Sequence, residues 1–312
     1  MSLRERLASG SFAVTAEISP PRGASTDPIT RTAGLLRGWV DAVNVTDNQG
    51  SNVRLASWAG SLAVLAAGLE PVMQMTCRDR NRIALQSDLL GAAALGIRTI
   101  LVMTGDHPTS GDHPGAKPVF DLDSIQLLWT LRTMRDQAVL LSGRTLDPAP
   151  DCFLGAVENP FAPPVDLRIR RAMKKAMAGA RFLQLQIGYR PERLESFMRE
   201  AVLSGLVQRA ALLPTICLLP GASGLRFMDE RVPGIAVPHA VIARVESASD
   251  QREAAYQLAL EQARHALSLP GVAGLHFISF RKDAGIAKLC ERLGIPPRAE
   301  REQHGYRHPL TV

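Results

Sequence analysis

The sequence predicts a single (β/α)8 barrel, and three observations predict it. Eight short apolar or β-branched runs recur along the 312 residues, amphipathic segments of helical period lie between them, and no GxGxxG or GxxxxGK[ST] loop follows any run. An open doubly wound sheet is the competing arrangement, and the lack of a glycine-rich phosphate loop weighs against it. The chain reads as one catalytic domain over 1–312, with about 296–312 as a C-terminal tail.

The first run, residues 12–18, ends on Glu17 and is stopped by Pro20 and Pro21. The second and third are 41–46 ("DAVNVT") and 71–76 ("PVMQMT"). The fourth, 97–103 ("IRTILVM"), is continuously apolar and β-branched, as a strand covered on both faces should be. Runs at 152–157, 182–187, 214–219 and 274–280 complete eight. Between them, 191–205 opens with Pro191 in a first helical turn and sets Leu194, Phe197, Met198, Ala201 and Val202 on one face. After Thr76, a stripe of Leu85, Leu89, Ala92 and Ala93 leads to Gly96, placed to cap a helix before the fourth strand.

Composition narrows the function. No run of eighteen uncharged apolar residues occurs, so no membrane span is predicted, and the N-terminus lacks a signal-peptide core; a cytoplasmic protein is the expectation. Cys77, Cys152, Cys217 and Cys290 are too far apart for a zinc or cluster motif and read as reduced, buried thiols. The balance of 36 basic and 30 acidic residues gives +6, but the positive residues are scattered and aromatics are 5%, which argues against nucleic-acid binding. The repeated "GDHP" brings His107 and His113, yet no further ligand follows at useful spacing and no metal is expected.

Chemistry in such barrels gathers where strands end at the C-terminal face. Glu17, Thr46, Asp106, Asn159, Gln186, Arg281 and Lys282 all fall at such ends. A carboxylate there also serves commonly as a helix cap or structural hydrogen-bond partner; for Glu17 the specific alternative is pairing with Arg22, and for Asp106 a turn within "TGDHPTSGDHPG". Asp123 and Ser124 read as caps of the helix that begins at Ile125.

The segments "AEISPPRG", "VNVTDNQGSN", "MTCRDRNR", "ILVMTGD", "VFDLDS", "GAVENPFAPP", "FLQLQIGY", "RFMDERVPGIAVP" and "LHFISF", in this order, resemble the bacterial-type catalytic barrel of the methylenetetrahydrofolate reductase family. The resemblance implies an eight-stranded barrel that holds FAD and reduces methylenetetrahydrofolate to methyltetrahydrofolate with NADH or NADPH. It implies that Glu17 is the general acid that protonates folate N10, a role that an apolar wall raising its pKa would suit. Asp106 matches the carboxylate near the flavin pyrimidine edge and the pterin. Flavin contacts carry over to Thr46, Phe120, Asp121, Asn159 and Lys175, the last toward the pyrophosphate, and to Gln74, Thr104 and Gly105 around the ring. Folate contacts carry over to Gln186, to Phe227 stacking on the aminobenzoyl ring or the nicotinamide, and to Arg281 or Lys282 facing the glutamate.

The chain departs from the bacterial pattern where Gln74 replaces a histidine, Thr104 an arginine, and Arg168 an acid that touches the cofactor's ribose. These changes bear on FAD affinity. Two other readings stand beside the reductase: a flavin-free, folate-binding one-carbon transferase, and a noncatalytic flavin- or folate-binding subunit of a larger redox complex. The expected partners are the folate and the nicotinamide nucleotide, and a homo-oligomer is compatible with the chain.

Overall fold

A computed structural model of the chain describes residues 1–280 and 284–308. Eight parallel strands close on themselves in chain order: β1 (Ala13–Ile18), β2 (Ala42–Val45), β3 (Glu70–Thr76), β4 (Thr99–Met103), β5 (Phe153–Glu158), β6 (Phe182–Leu185), β7 (Ala211–Leu218) and β8 (Gly274–Ser279). Closure is made by β8 pairing with β1, with Ala13 opposite Gly274 and Ala16 opposite Phe277. Every predicted run overlaps a strand. The largest shift in a start is at β7, which begins at Ala211 rather than 214. Pro214 looks like a first strand residue because it has no N–H, yet it sits inside β7 opposite Leu185.

Successive strand residues point alternately into the barrel and toward the helices. The lowest inward layer is apolar: Ala13, Ala42, Val72, Leu101, Phe153, Phe182 and Leu213, capped from below by Leu3. The stacked rings of Phe153 and Phe182, with centroids 5.4 Å apart, fill the interior so completely that a Cβ on Gly155 would lie 2.2 Å from the Phe182 ring. The next layer is polar and internally hydrogen-bonded, joining Thr15, Asn44, Gln184 and His276. This layer is the floor on which the mouth is built.

Outside the strands, the predicted helices form with the predicted faces. Helix Pro191–Leu203 buries Leu194, Phe197, Met198 and Ala201, while Val202 turns outward. Helix Arg82–Ala94 buries Leu85, Leu89 and Ala92, and Gly96 follows it at φ +82°. Asp123 caps helix Ser124–Gln137 by accepting from the N–H groups of Ile125 and Gln126.

The segment predicted as a tail includes helix Arg298–His304, docked under the barrel. Its Arg301 is fully buried and donates to Asp41 Oδ1 at 2.9 Å, while Arg6 Nε lies 3.0 Å from the same oxygen. The other oxygen of Asp41 accepts from Val14 N at 2.7 Å. One buried carboxylate thus ties both ends of the described chain to the barrel base. All four cysteines are free and buried, and burial pushes Cys77 and Cys290 up to about 12 and Cys152 up to about 11. No helix among the described residues is long and apolar enough to cross a membrane.

Candidate active site

A cavity of about 340 Å3 opens at the C-terminal mouth of the barrel, within the size range of small-molecule sites. Eight of the residues selected from the sequence line it: Glu17, Gln74, Thr104, Gly105, Asp106, Asn159, Lys175 and Gln186. They come from β1 and β3, from the loops after β4, β5 and β6, and from helix Arg168–Ala178. Strands far apart in sequence therefore deliver them to one space.

Glu17 is held by two amides. Gln74 Nε2 donates to its Oε2 at 2.9 Å and Gln49 Nε2 donates to its Oε1 at 3.2 Å. Among the described residues no cation pairs with it, and Arg22 instead donates to Asn52. Desolvation at the cavity wall outweighs the two amide hydrogen bonds, and the Glu17 pKa rises to about 7. A carboxyl so placed is a proton donor near neutral pH.

Asp106 is exposed at the rim. Its backbone carbonyl accepts from Ser51 Oγ at 3.0 Å and from Arg78 Nη1 at 3.4 Å, which fixes the loop where Asp106 lines the cavity. Gly105 before it adopts φ +91°, and a Cβ there would lie 3.1 Å from Thr76 Cβ and 3.2 Å from Arg78 Cβ. Gly105→Ala is expected to cost about 1–2 kcal/mol from left-handed strain and crowding, checked by urea denaturation. An unchanged midpoint would show that the loop relaxes freely.

The phosphate-facing lysine expected from the sequence is committed inside the protein. Lys175 is 4% exposed, and its Nζ donates to Val157 O at 2.6 Å and to Glu158 Oε2 at 2.8 Å. Burial lowers its pKa and Glu158 pulls it back up. Arg168, which also lines the cavity, donates to Ala162 O at 2.8 Å and Pro163 O at 2.5 Å, with its Nη1 3.8 Å from Glu158 Oε1. Asn159 has both amide ends engaged, donating to Gly234 O and accepting from Phe161 N, so it shapes the loop after β5.

Four selected residues do not line this cavity. Thr46 is buried just past the end of β2, its hydroxyl without a partner among the described residues. Phe120 packs against the His107 ring with centroids 6.4 Å apart. Asp121 binds Arg82 through the backbone N–H and the guanidinium, which holds its pKa down to about 2. Phe227 lies on helix Ala222–Arg231, half-exposed. Arg281 and Lys282 lie outside the described residues.

Several cavity residues were not selected from the sequence. Glu158 and His276 are the most consequential. His276 Nδ1 faces Thr15 Oγ1 at 2.9 Å and Gln184 Nε2 at 3.3 Å, and burial pushes its pKa down to about 3, so it is a neutral hydrogen-bonding group in the floor. The alternation of β8 could have found it, since His276 shares its face with the cavity-lining Ile278. Asp47 also lines the cavity, accepting from Thr76 N and Oγ1 and pairing with Arg80. Among the described residues no group of three His, Cys, Asp or Glu side chains is placed to hold a metal.

The donor set fits a flavin. Gln74, Thr104 and Asp106 offer amide, hydroxyl and carboxylate groups for a polar ring edge, and Arg168, Arg171 and Lys175 bring positive charge to the same cavity.

A desolvated carboxyl at the C-terminal mouth of a closed parallel barrel, beside rim groups able to orient a heterocycle, lies where (β/α)8 barrels place their active sites. Comparison with known proteins defines the group further. The model of the family described as methylenetetrahydrofolate reductase matches residues 2–294, and the chain belongs to that family. It is 23% identical over 291 residues to a Caenorhabditis elegans protein described as a probable methylenetetrahydrofolate reductase (NADPH), covering 89% of this chain and 42% of that one. It is 24% identical over 232 residues to methylenetetrahydrofolate reductase 2 of Schizosaccharomyces pombe, covering 72% and 35%. The chain thus spans less than half the length of either relative. Among solved structures, an uncharacterized Clostridium thermocellum protein that binds two copies of 5-methyl-5,6,7,8-tetrahydrofolic acid superposes with a TM-score of 0.66 at 13% identity, covering 94% of this chain and 99% of that one. At that identity the likeness is one of fold.

Proposed function

We propose that this chain is a cytoplasmic enzyme that reduces 5,10-methylenetetrahydrofolate to 5-methyltetrahydrofolate, with NADH or NADPH as reductant and FAD as the carrier, in a ping-pong sequence at one site. The observation that carries the reading is Glu17: a carboxyl with a pKa of about 7, free of cationic partners among the described residues, at the mouth of a barrel of this family. When bound, FAD supplies two-electron storage between the nicotinamide and the folate.

The protein's own residues do the rest. Glu17 holds the proton that folate N10 takes as the five-membered ring opens, and the amides of Gln74 and Gln49 keep that carboxyl aimed into the cavity. Asp106 after β4 and Gln186 after β6 present an acceptor and an amide to the polar edge of the pterin. Gln74 and the Thr104–Asp106 loop would hold the flavin ring when it is bound, and of the basic residues of helix Arg168–Ala178 that line the cavity Arg171 is the exposed one.

Initial rates at varied folate and nicotinamide concentrations test the sequence. Parallel double-reciprocal lines with activity dependent on added FAD are expected; folate turnover independent of flavin would move the chain to the flavin-free reading, and intersecting lines would exclude the ping-pong order. The pH profile follows from the acid. Glu17 must be protonated to act, so folate reduction is expected to be level below about 6 and to fall tenfold per unit above about 7, measured as kcat/KM for the folate.

A further inference from the structure

The basic corner of the cavity holds Arg168, Arg171 and Lys175, enough positive charge to bind a diphosphate, but two of the three are already engaged. Lys175 spends two donors on Val157 O and Glu158 Oε2, and Arg168 is turned to Ala162 and Pro163 with its remaining nitrogen facing Glu158. Glu158 is itself 3% exposed and accepts from Asn159 N at 3.0 Å, so it cannot swing away without losing its partners. Arg171 alone of the three is exposed and has no protein partner among the described residues. A buried lysine taken from its carboxylate leaves an uncompensated charge, which opposes recruitment of Lys175 by a solvated phosphate.

We infer that Glu158 is a specificity-determining residue that withdraws Lys175 from the cofactor's phosphate, so that this site binds flavin by its ring and discriminates weakly between flavins with none, one or two phosphates. The inference rests on the flavin reading above. A carboxylate at position 158 also repels a phosphate in its own right, and it does so at short range in a corner partly shielded from salt. Neutralising it while keeping its shape releases Lys175 as a point charge for phosphate.

The test is a fluorescence-quenching titration of riboflavin, FMN and FAD against the wild type, Glu158→Gln, and Glu158→Gln combined with Lys175→Met. In the wild type the three dissociation constants are expected to agree within about threefold. Glu158→Gln is expected to tighten FMN and FAD about tenfold or more and to leave riboflavin unchanged, and adding Lys175→Met is expected to erase that gain. A wild type that prefers FAD over riboflavin by tenfold or more overturns the inference without any variant being needed, as does a Glu158→Gln gain shared by riboflavin. If none of the three flavins binds the wild type or either variant, the flavin reading fails and the inference falls with it.

Discussion

Glu17→Gln is expected to lower folate reduction by about 10²–10⁴-fold, the usual worth of a positioned general acid, while the folate dissociation constant stays within a few-fold. The amide keeps the shape of the side chain; one of Gln74 and Gln49 still donates to its oxygen while the other turns its own amide to accept from its NH2, so the loss isolates the proton. NADH or NADPH oxidation with an artificial quinone acceptor should persist, because that half of the chemistry takes no proton from Glu17. Equal loss in both assays would make Glu17 a structural residue. The same variant carries a signature in stability. The folded protein holds the Glu17 proton more tightly than the unfolded chain, so its stabilising effect is complete below about 4.5 and is lost as pH rises through about 7. Glu17→Gln should therefore match the wild type at pH 4 and exceed it at pH 8 by about 2 kcal/mol, allowing for solvent in the cavity.

Asp41→Ala is expected to destabilise the barrel by about 3–5 kcal/mol, because it leaves Arg6 and Arg301 buried without their shared carboxylate and removes the acceptor of Val14 N–H. For comparison, whole domains are stable by only about 5–15 kcal/mol. The loss should be visible as a lower urea midpoint. Because Asp41 binds one arginine from the N-terminal helix and one from helix Arg298–His304, hydrogen exchange should speed up in both terminal segments together. Exchange that rises in only one of them would mean that the two ends are secured independently.

The barrel was legible because buried parallel strands announce themselves as short apolar runs, and the inward position of Glu17 follows from alternation along β1. Gln186 was found because it lies at the mouth of its strand, whereas Gln74 came only from the family resemblance. What depends on a partner distant in sequence was not legible. Asp121 could not be known to bind Arg82, nor Lys175 to spend its charge on Glu158, because each pairing is made only when separate loops and helices close over one another. Thr46 was misplaced for a local reason: β2 ends at Val45, and strand alternation says nothing beyond the last paired residue. Phe227 depended on how a long loop and helix Ala222–Arg231 pack, which no periodicity specifies. Helix Arg298–His304 looked like a tail because its buried residue is an arginine, the type least expected in a core unless paired.

Every functional statement above depends on residue 17 keeping its proton in the open mouth of the barrel. Difference infrared spectroscopy between the wild type and Glu17→Gln, titrated across pH in isotopically labelled water, follows that one carboxyl directly. A midpoint near 7 is expected; a midpoint at the ordinary carboxyl value of 4.5 would contradict the account.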